Sequence, residues 1–307
     1  MRRIAVESWS PGYGSPFDAD AASASDAVVD EQVELPAAKW RPLEPDPSVS
    51  AAAQVRFVDG IRRVDAQVWL TAEDGTTRAG LCASFAAGVA RCDTDARIEG
   101  VEVRRGLITT AGAEPLETPA GTYAPLAVAD DDPAQLDAGL QQRMRDLEIA
   151  VARQAPRSDL VVIDGPLRER QDVHAAIGYV KTHHVRYLSP RANQVVARLP
   201  AGQRTPLFVT QTTWSRYCWY LRLPGGTGHP WAGVVRCEAA ADLPLAAART
   251  LADRTCVTLP RFASEAHKEP RAPQNLYPVA ALERELRRRL GDAAYLERLL
   301  RATVSRA

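Results

Sequence analysis

The stretch LVVIDGPL at residues 160–167 decides the fold class. Its apolar run is short and a turn sequence closes it, which is the pattern of a buried central strand. A helical pattern at 133–154 comes immediately before it, and acidic residues precede this helix at the end where they favour helix formation. Its apolar positions form one stripe: Leu136, Leu140, Met144, Leu147 and Val151. A helix that leads into a buried strand predicts an α/β protein.

Upstream of this helix, the sequence reads as strands that follow one another. QVRFVDG at 54–60 alternates apolar and polar residues, and VDAQVWLT at 64–71 follows after a turn at two arginines. A strand of small residues covers 79–90, and another strand covers 100–109. Together these segments predict an antiparallel group of strands.

Downstream of residue 167, helices and strands alternate. The pattern predicts a helix at Arg168–Tyr179 and strands at 185–188 and 206–211. The segments 219–223 and 231–238 are typical of a pair of edge strands. Three further helices are predicted around Leu245–Thr255, Pro278–Leu290 and Ala294–Val304. We therefore expect one compact α/β domain over residues 51–307.

Residues 1–50 are predicted to form a weakly ordered N-terminal arm. Ala, Asp and Ser dominate 15–34, and prolines keep the segment up to Ser50 extended. Trp9 and Trp40 are large aromatic residues for such a segment. They either pin the arm onto its own domain or dock it to a partner.

The composition excludes several classes of protein. Of the 307 residues, 38 are Lys or Arg and 38 are Asp or Glu, so the formal net charge is zero. This excludes a DNA-binding protein whose whole surface is strongly cationic. The five cysteines form no CxxC pair, which argues for reduced thiols and against a zinc ribbon. Because no long apolar run or signal peptide is present, we expect a cytoplasmic protein. No GxxxxGK[ST] motif is present, so the chain is not an ATP-driven motor.

Two carboxylates carry the predicted chemistry. Asp59 and Asp164 follow apolar residues in FVDG and VVIDG, at the C-terminal ends of two predicted strands. If both lie at one edge of a sheet, a divalent cation is needed to neutralise them, and oxygen ligands suit Mg²⁺ or Mn²⁺. Glu148, beside the apolar stripe of the preceding helix, could reach the same edge. The alternative is that each aspartate only opens a turn before glycine and that Glu148 is a solvated helix residue.

Several segments in this order resemble the successive motifs of the NurA nuclease family, from about Ala53 to Gly291. They are FVDG at 57–60, MRDLEIAVARQA at 144–155, LVVIDGPL at 160–167, GYVKTHHVRYL at 178–188 and RAPQNLYPVAALERELRRRLG at 271–291. The resemblance implies a ribonuclease H-like mixed sheet flanked by helices. It further implies a homodimeric DNase with two Mn²⁺ or Mg²⁺ ions that acts on single-stranded DNA or duplex ends. This enzyme would work 5′ to 3′ with a hexameric HerA-type translocase in DNA end resection, repair or phage defence.

The resemblance also implies roles for individual residues. Asp59, Glu148 and Asp164 would be metal ligands on the first strand, the helix and the central strand. The fourth ligand would be Glu283, which follows the YP dipeptide of NLYPVAALE. Two departures leave this ligand open: Ile61 stands where many members have serine, and no histidine follows Tyr277–Pro278. The other candidates are His267 and Asp292.

Basic and aromatic residues complete the candidate site. By the same resemblance, Lys181 faces the scissile phosphate and stabilises negative charge; the alternative is a solvated loop lysine. His183 and His184 are adjacent, so at most one of them can face the site. A further candidate set could line a groove for single-stranded DNA or belong to the core: Arg216, Trp219, Tyr220 and Arg222.

Two other functions remain open. A NurA-like subunit with weak catalysis could act as an adaptor for the motor, which the two departures favour. A ribonuclease H-like enzyme that acts on RNA or on hybrids would have the same carboxylates. Retention of Asp59, Glu148 and Asp164 together favours the DNA nuclease.

Overall fold

The computed structural model describes Trp9, Ser23–Ala24 and residues 27–305. In these residues the strands are β1 (Ser23–Ala24), β2 (Val28–Asp30), β3 (Val55–Thr71), β4 (Thr77–Cys92), β5 (Ala96–Thr109), β6 (Leu116–Thr118), β7 (Gly121–Ala127), β8 (Leu160–Asp164), β9 (Ala176–Val180), β10 (Val185–Arg186), β11 (Phe208–Gln211), β12 (Ser215–Arg222) and β13 (Val234–Ala240). The α-helices are α1 (Pro133–Gln154), α2 (Pro190–Ala197), α3 (Leu245–Thr258), α4 (Tyr277–Leu290) and α5 (Ala293–Val304). This content confirms the α/β class.

The chain divides into two compact units. The first comprises the described residues up to Phe57, together with Arg91–Ala96 and Pro156–Ala280. The second comprises Val58–Ala90, Arg97–Ala155 and the described residues from Ala281 onward. The sequence pattern had suggested one domain.

The first unit contains a mixed sheet with the strand order β2-β11-β12-β13-β9-β8. β8 and β9 are parallel, whereas β11, β12, β13 and β9 pair antiparallel in turn. β12 and β13 are therefore interior strands, and the prediction that they lie at an edge is wrong. Helices cover both faces of this part of the sheet, because Tyr220 packs in one cluster with Val196 of α2 while Trp219 bonds to Thr255 of α3.

The helix predicted at Arg168–Tyr179 is wrong. Its second half forms β9, and its first half consists of turns in which Glu169 and Ala175 have φ values of 65° and 52°. Left-handed backbone at two positions breaks a helix. The close approach of the backbone at Leu167 to Gly178 fixes this part of the chain, because a Cβ at Gly178 would lie 2.4 Å from the Leu167 nitrogen.

The described part of the predicted arm packs onto the first unit. Trp40 is buried against Phe208, and β2 pairs antiparallel with β11. Glu34 accepts hydrogen bonds from the buried Arg204 guanidinium at 2.8 and 3.0 Å. These contacts confirm that Trp40 pins the arm, and they show that its described part is not weakly ordered. Trp9 is also buried, and the other residues before Ser23 lie outside the described residues.

The second unit contains the strand order β3-β4-β5-β7-β6, with β5 and β7 parallel. Its α1 has the predicted bounds because the Asp132 side chain caps the helix, accepting hydrogen bonds from the backbone N–H groups of Ala134 and Gln135. The turn predicted within 61–63 is wrong, since β3 continues as one strand to Thr71.

Across the described residues, no helix combines the length and the apolar character that crossing a membrane requires.

Candidate functional site

In the first unit, Asp164 and Lys181 form an ion pair at one edge of the sheet. Asp164 is the last residue of β8, and Lys181 directly follows β9, its parallel neighbour. Because parallel strands end at the same edge, the two side chains meet, with Lys181 Nζ 2.6 Å from Asp164 Oδ2. This is the edge at which the sequence predicts a functional aspartate.

Asn275 completes this group, although the sequence pattern did not point to it. Lys181 Nζ also donates to Asn275 Oδ1 at 2.9 Å. The segment that carries Asn275 is held in place by Tyr179, whose hydroxyl donates to the Gln274 carbonyl at 2.7 Å. Within the described part of the chain, Asp164 Oδ1 is buried and has no hydrogen-bond partner, so this oxygen is available to a further ligand.

A cavity of about 540 Å³ opens beside this ion pair in the first unit. Its lining includes Asp164, Lys181, His184, Arg236 and Arg271. A carboxylate and several cationic side chains therefore share one cleft. Such a mixture suits a ligand that carries negative charge.

In the second unit, Asp59 lies at the point where β3 leaves the core. The residues of β3 before it are buried, whereas the four that follow it, Gly60 to Arg63, are partly exposed. Asp59 thus lies within a long strand and not at the end of one, contrary to the prediction. Its Oδ1 accepts a hydrogen bond from the backbone N–H of Gly60 at 2.8 Å.

Glu148 of α1 reaches β3 beside Asp59, as the sequence predicts. A Cβ at Gly60 would lie only 2.7 Å from both Cγ and Oε1 of Glu148. The missing side chain at Gly60 therefore allows the buried Glu148 to approach the strand. The sequence signal for this contact is the glycine that follows Asp59.

Glu283 of α4 is brought close to Asp59. One carboxylate oxygen of each residue lies within 4.8 Å of the other, and each residue is 7% exposed. Arg287, one turn later in α4, lies 3.5 Å from Glu283 Oε2. The second unit thus brings the carboxylates of Asp59 and Glu283 near each other, while Glu148 of α1 contacts β3 at Gly60 and Asp164 belongs to the first unit.

The other two candidates for the fourth ligand have different roles. The carboxylate of Asp292 caps α5 by accepting a hydrogen bond from the Tyr295 N–H at 2.7 Å. The side chain of His267 is exposed and lies 3.7 Å from Glu265. Of the three candidates, Glu283 is the buried carboxylate, so the structure favours it.

His183 and His184 face opposite ways, as predicted for adjacent residues. His183 is buried, and its Nε2 lies 3.0 Å from the Val234 carbonyl oxygen. Burial lowers the pKa of His183 to about 3, and the charge of Arg236 contributes to this shift. His184 is exposed and lines the cavity beside Lys181. His183 therefore has a packing role, and His184 is the one that faces the cleft.

The aromatic residues predicted to stack on DNA belong to the core. Trp219 is 0% exposed, and its indole N–H donates to Thr255 Oγ1 at 3.1 Å. Tyr220 is buried against Phe208 and Trp231. Neither ring offers a face on which a base could stack, so the structure corrects this prediction.

The two arginines of that set are held by internal partners. Arg216 is buried and donates to Glu238, while the Arg222 guanidinium donates to backbone carbonyls, including that of Ala232. The sequence of β13 contains an indication of the Glu238 ion pairs that the pattern analysis did not use. Arg236 and Glu238, two residues apart in an apolar segment, must share one face of a buried strand.

The donor chemistry of the second unit fits a hard divalent cation. Carboxylate oxygens are the ligands that Mg²⁺ and Mn²⁺ prefer, and ligand oxygens around one such ion lie up to about 4 Å apart. Cysteine ligation does not fit, because all five cysteines are buried and burial raises the pKa of Cys82, Cys218 and Cys256 to about 12. Thiols with such pKa values stay protonated and are poor metal ligands.

No protein-family model matches this chain, and a search of curated proteins finds no match either.

Proposed function

We propose that this chain is a divalent-metal-dependent nuclease that hydrolyses phosphodiester bonds in DNA. The observation that supports the proposal is the pair of buried carboxylates, Asp59 and Glu283, whose oxygens lie within 4.8 Å of each other. Glu148 lies beside the same strand, against Gly60. Two carboxylate oxygens this close together could be ligands of one divalent cation.

A divalent cation suits this arrangement, because it binds the carboxylate oxygens that Asp59 and Glu283 offer. Oxygen ligands from a strand and two helices are held rigidly, which suits the strict geometry of Mg²⁺ or Mn²⁺. We assign Asp59 and Glu283 as ligands, and the resemblance to the family motifs adds Glu148 as a third.

When bound, one or two such ions would activate a water molecule and stabilise the leaving oxygen of a phosphodiester. The chain's own residues have supporting roles. Gly60 leaves the space through which Glu148 reaches the strand, and its N–H group orients the Asp59 carboxylate. Lys181, positioned by Asp164 and Asn275, would donate to a phosphate oxygen and stabilise the charge that develops there.

The resemblance of the motifs to NurA nucleases extends the proposal. It suggests a ribonuclease H-like arrangement, a homodimer, a 5′ to 3′ direction and a hexameric HerA-type ATPase as partner. This extension depends on motif order alone. It places the activity in the processing of DNA ends, in repair or in defence against phage.

A second candidate function is that of a catalytically weak adaptor for the ATPase. Ile61 after Asp59–Gly60 and the lack of a histidine after Pro278 favour it, because they depart from the pattern of the active family. An adaptor would still bind its motor but would not depend on the carboxylates.

The test is degradation of end-labelled single-stranded DNA with Mn²⁺, with Mg²⁺ and with EDTA, with and without a HerA-type ATPase. Loss of one ligand or transition-state contact costs about 10²- to 10³-fold in rate, so we expect Asp59→Asn and Glu283→Gln to lose at least about 100-fold. The matched controls, Asp242→Asn and Glu73→Gln, change exposed acids of the same types and should retain full activity.

A second readout does not depend on turnover. Mn²⁺ should raise the thermal unfolding midpoint of the wild type, because a ligand that binds only the native state stabilises it. The shift should disappear in Asp59→Asn and persist in Asp242→Asn. Full nuclease activity in Asp59→Asn, or no activity of the wild type under any of these conditions, would remove the nuclease proposal in favour of the adaptor.

A further inference from the structure

Two buried arginines share one carboxylate beside the cavity of the first unit. Arg216 of β12 and Arg236 of β13 are 5% and 6% exposed, and Glu238 is fully buried. Glu238 Oε1 lies 3.2 Å from Arg216 Nε and 3.0 Å from Arg236 Nη2. Its other oxygen accepts the Leu167 N–H at 3.1 Å. Both oxygens of this carboxylate are therefore engaged by internal donors.

This cluster carries one positive charge in excess. Within the described part of the chain, Glu238 is the one carboxylate that pairs with either guanidinium. Aromatic rings offset part of the difference: Arg236 lies 4.9 Å from the centre of the Tyr187 ring, and Arg216 lies 4.9 Å from that of Trp214. Such contacts offset only part of the free-energy cost of burying an ion. The cluster is thus prepared for an anion.

The excess charge lies next to the Asp164–Lys181 pair. Arg236 pairs in register with Val180, the residue that precedes Lys181. Arg236, Tyr187, Lys181 and His184 line the same cavity. A group bound there would contact a planar guanidinium, an ammonium and a ring nitrogen from one side. Guanidinium groups match the oxygen geometry of phosphates.

We propose that this cavity binds a phosphate group of the nucleic-acid strand, with Arg236 and Lys181 as its principal donors. The inference rests on the proposed function, because it takes the strand to be the substrate whose phosphodiester is cut. It assigns a binding role to Arg236. This residue lies outside the segments that resemble the NurA motifs and is not one of the assigned metal ligands. The same contacts could serve a terminal phosphate or an internal one, and the experiment separates these two.

The test measures binding of fluorescent oligothymidylates in EDTA, where no metal ion or turnover is required. Three forms are compared: unphosphorylated, 5′-phosphorylated and 3′-phosphorylated, each with inorganic phosphate as competitor. We expect competition by phosphate in every case. Tighter binding of one phosphorylated end assigns the cavity to that terminal phosphate, whereas equal binding of all three assigns it to an internal phosphate. A lack of competition by phosphate would overturn the proposal.

The key variant is His184→Glu, which adds a negative charge to the cavity lining through an exposed side chain and leaves the buried cluster intact. Its control is His174→Glu, the same change at an exposed position of the first unit that does not line the cavity. We expect at least about tenfold weaker binding for His184→Glu and less than about twofold for the control. Equal affinities of the two variants would overturn the proposal.

Arg236→Lys and Arg236→Met then test the principal donor. The lysine variant keeps the charge and should bind more tightly than the methionine variant. If Arg236→Met does not fold, the comparison of His184→Glu with His174→Glu decides the question. All variants are also made with Asp59→Asn. If nuclease activity is absent but phosphate-sensitive binding persists, the proposed function fails while the phosphate site stands. If nuclease activity is present but binding is insensitive to phosphate, the phosphate site fails while the proposed function stands.

Discussion

Lys181 Nζ lies 2.6 Å from Asp164 Oδ2, and the two residues belong to adjacent parallel strands that end at the same edge. The pair joins two chain segments that the sequence separates by a turn-rich loop. Because Lys181 is also bonded to Asn275, its position is defined by two partners. A side chain held in this way can act on a substrate without first losing its own conformational freedom.

Replacement of Lys181 should impair catalysis more than folding. In Lys181→Met, the donor to a phosphate oxygen is lost while the aliphatic part of the side chain is kept. We expect the rate of DNA cleavage to fall by about 10²- to 10³-fold, and Lys181→Arg should recover part of it. The measurement is single-turnover cleavage, with Lys39→Met as the exposed control. Unchanged cleavage by Lys181→Met would show that Lys181 only orders the edge of the sheet.

Substitution of Gly60 should destabilise the second unit through one identifiable contact. An alanine Cβ would lie 2.7 Å from Glu148 Cγ, and the buried Glu148 has little room to withdraw. Overpacking of this kind costs about 1–3 kcal/mol, so Gly60→Ala should lower the free energy of unfolding by that amount in urea. The double variant Gly60→Ala/Glu148→Ala should show a favourable coupling, because the clash is absent there. Wild-type stability of Gly60→Ala would contradict this contact.

Acid should destabilise the first unit through His183. Burial lowers its pKa to about 3 in the native state, whereas the unfolded chain has a value near 6.5. Between these values the unfolded state binds a proton that the native state does not. The stability that the neutral, buried His183 provides is therefore complete above about pH 6.5 and is lost progressively towards pH 3.

The measurement is the free energy of unfolding at several pH values for the wild type, His183→Gln and the exposed control His267→Gln. The contribution of His183 has a slope of up to about 1.4 kcal/mol per pH unit. His183→Gln should flatten the profile between pH 6.5 and pH 3, while His267→Gln should follow the wild type. Identical profiles for all three proteins would show that His183 takes up its proton without unfolding.

Trp219 should matter for stability and not for DNA binding. Trp219→Phe removes the indole N–H that donates to Thr255 and leaves a smaller ring in the core. We expect a loss of about 1–3 kcal/mol in stability from the lost bond and the lost volume. The affinity for single-stranded DNA, measured by anisotropy, should change by less than about twofold. A selective loss of DNA affinity would restore the stacking role that its burial argues against.

Elements with local signals could be predicted from the sequence. The bounds of α1 follow from its apolar stripe and from Asp132, whose carboxylate caps the first turn. Asp164 ends a short apolar run, and the run is a strand that ends there. In both cases the deciding interactions lie within a few residues along the chain.

Elements decided by distant partners could not be predicted. The pair Arg62–Arg63 predicts a turn between two strands, but the structure has one continuous strand there. Arg62 donates to Asp137, and Arg63 donates to the Gly291 carbonyl. Likewise, the alternation of side chains along β12 predicts which residues share a face of the sheet. It does not indicate that helices cover both faces. The approach of Glu283 to Asp59 depends on how α4 packs against β3, which no local pattern encodes.

The short strand β2 covers a sheet edge that would otherwise be exposed. It pairs with Val209–Gln211 of β11 and so occupies the outer edge of the first unit's sheet. A chain shortened past Asp30 would leave the N–H and C=O groups of β11 unpaired, and such an edge recruits strands from other molecules. We expect the shortened protein to aggregate during purification, because the exposed edge of β11 would pair with strands of other molecules.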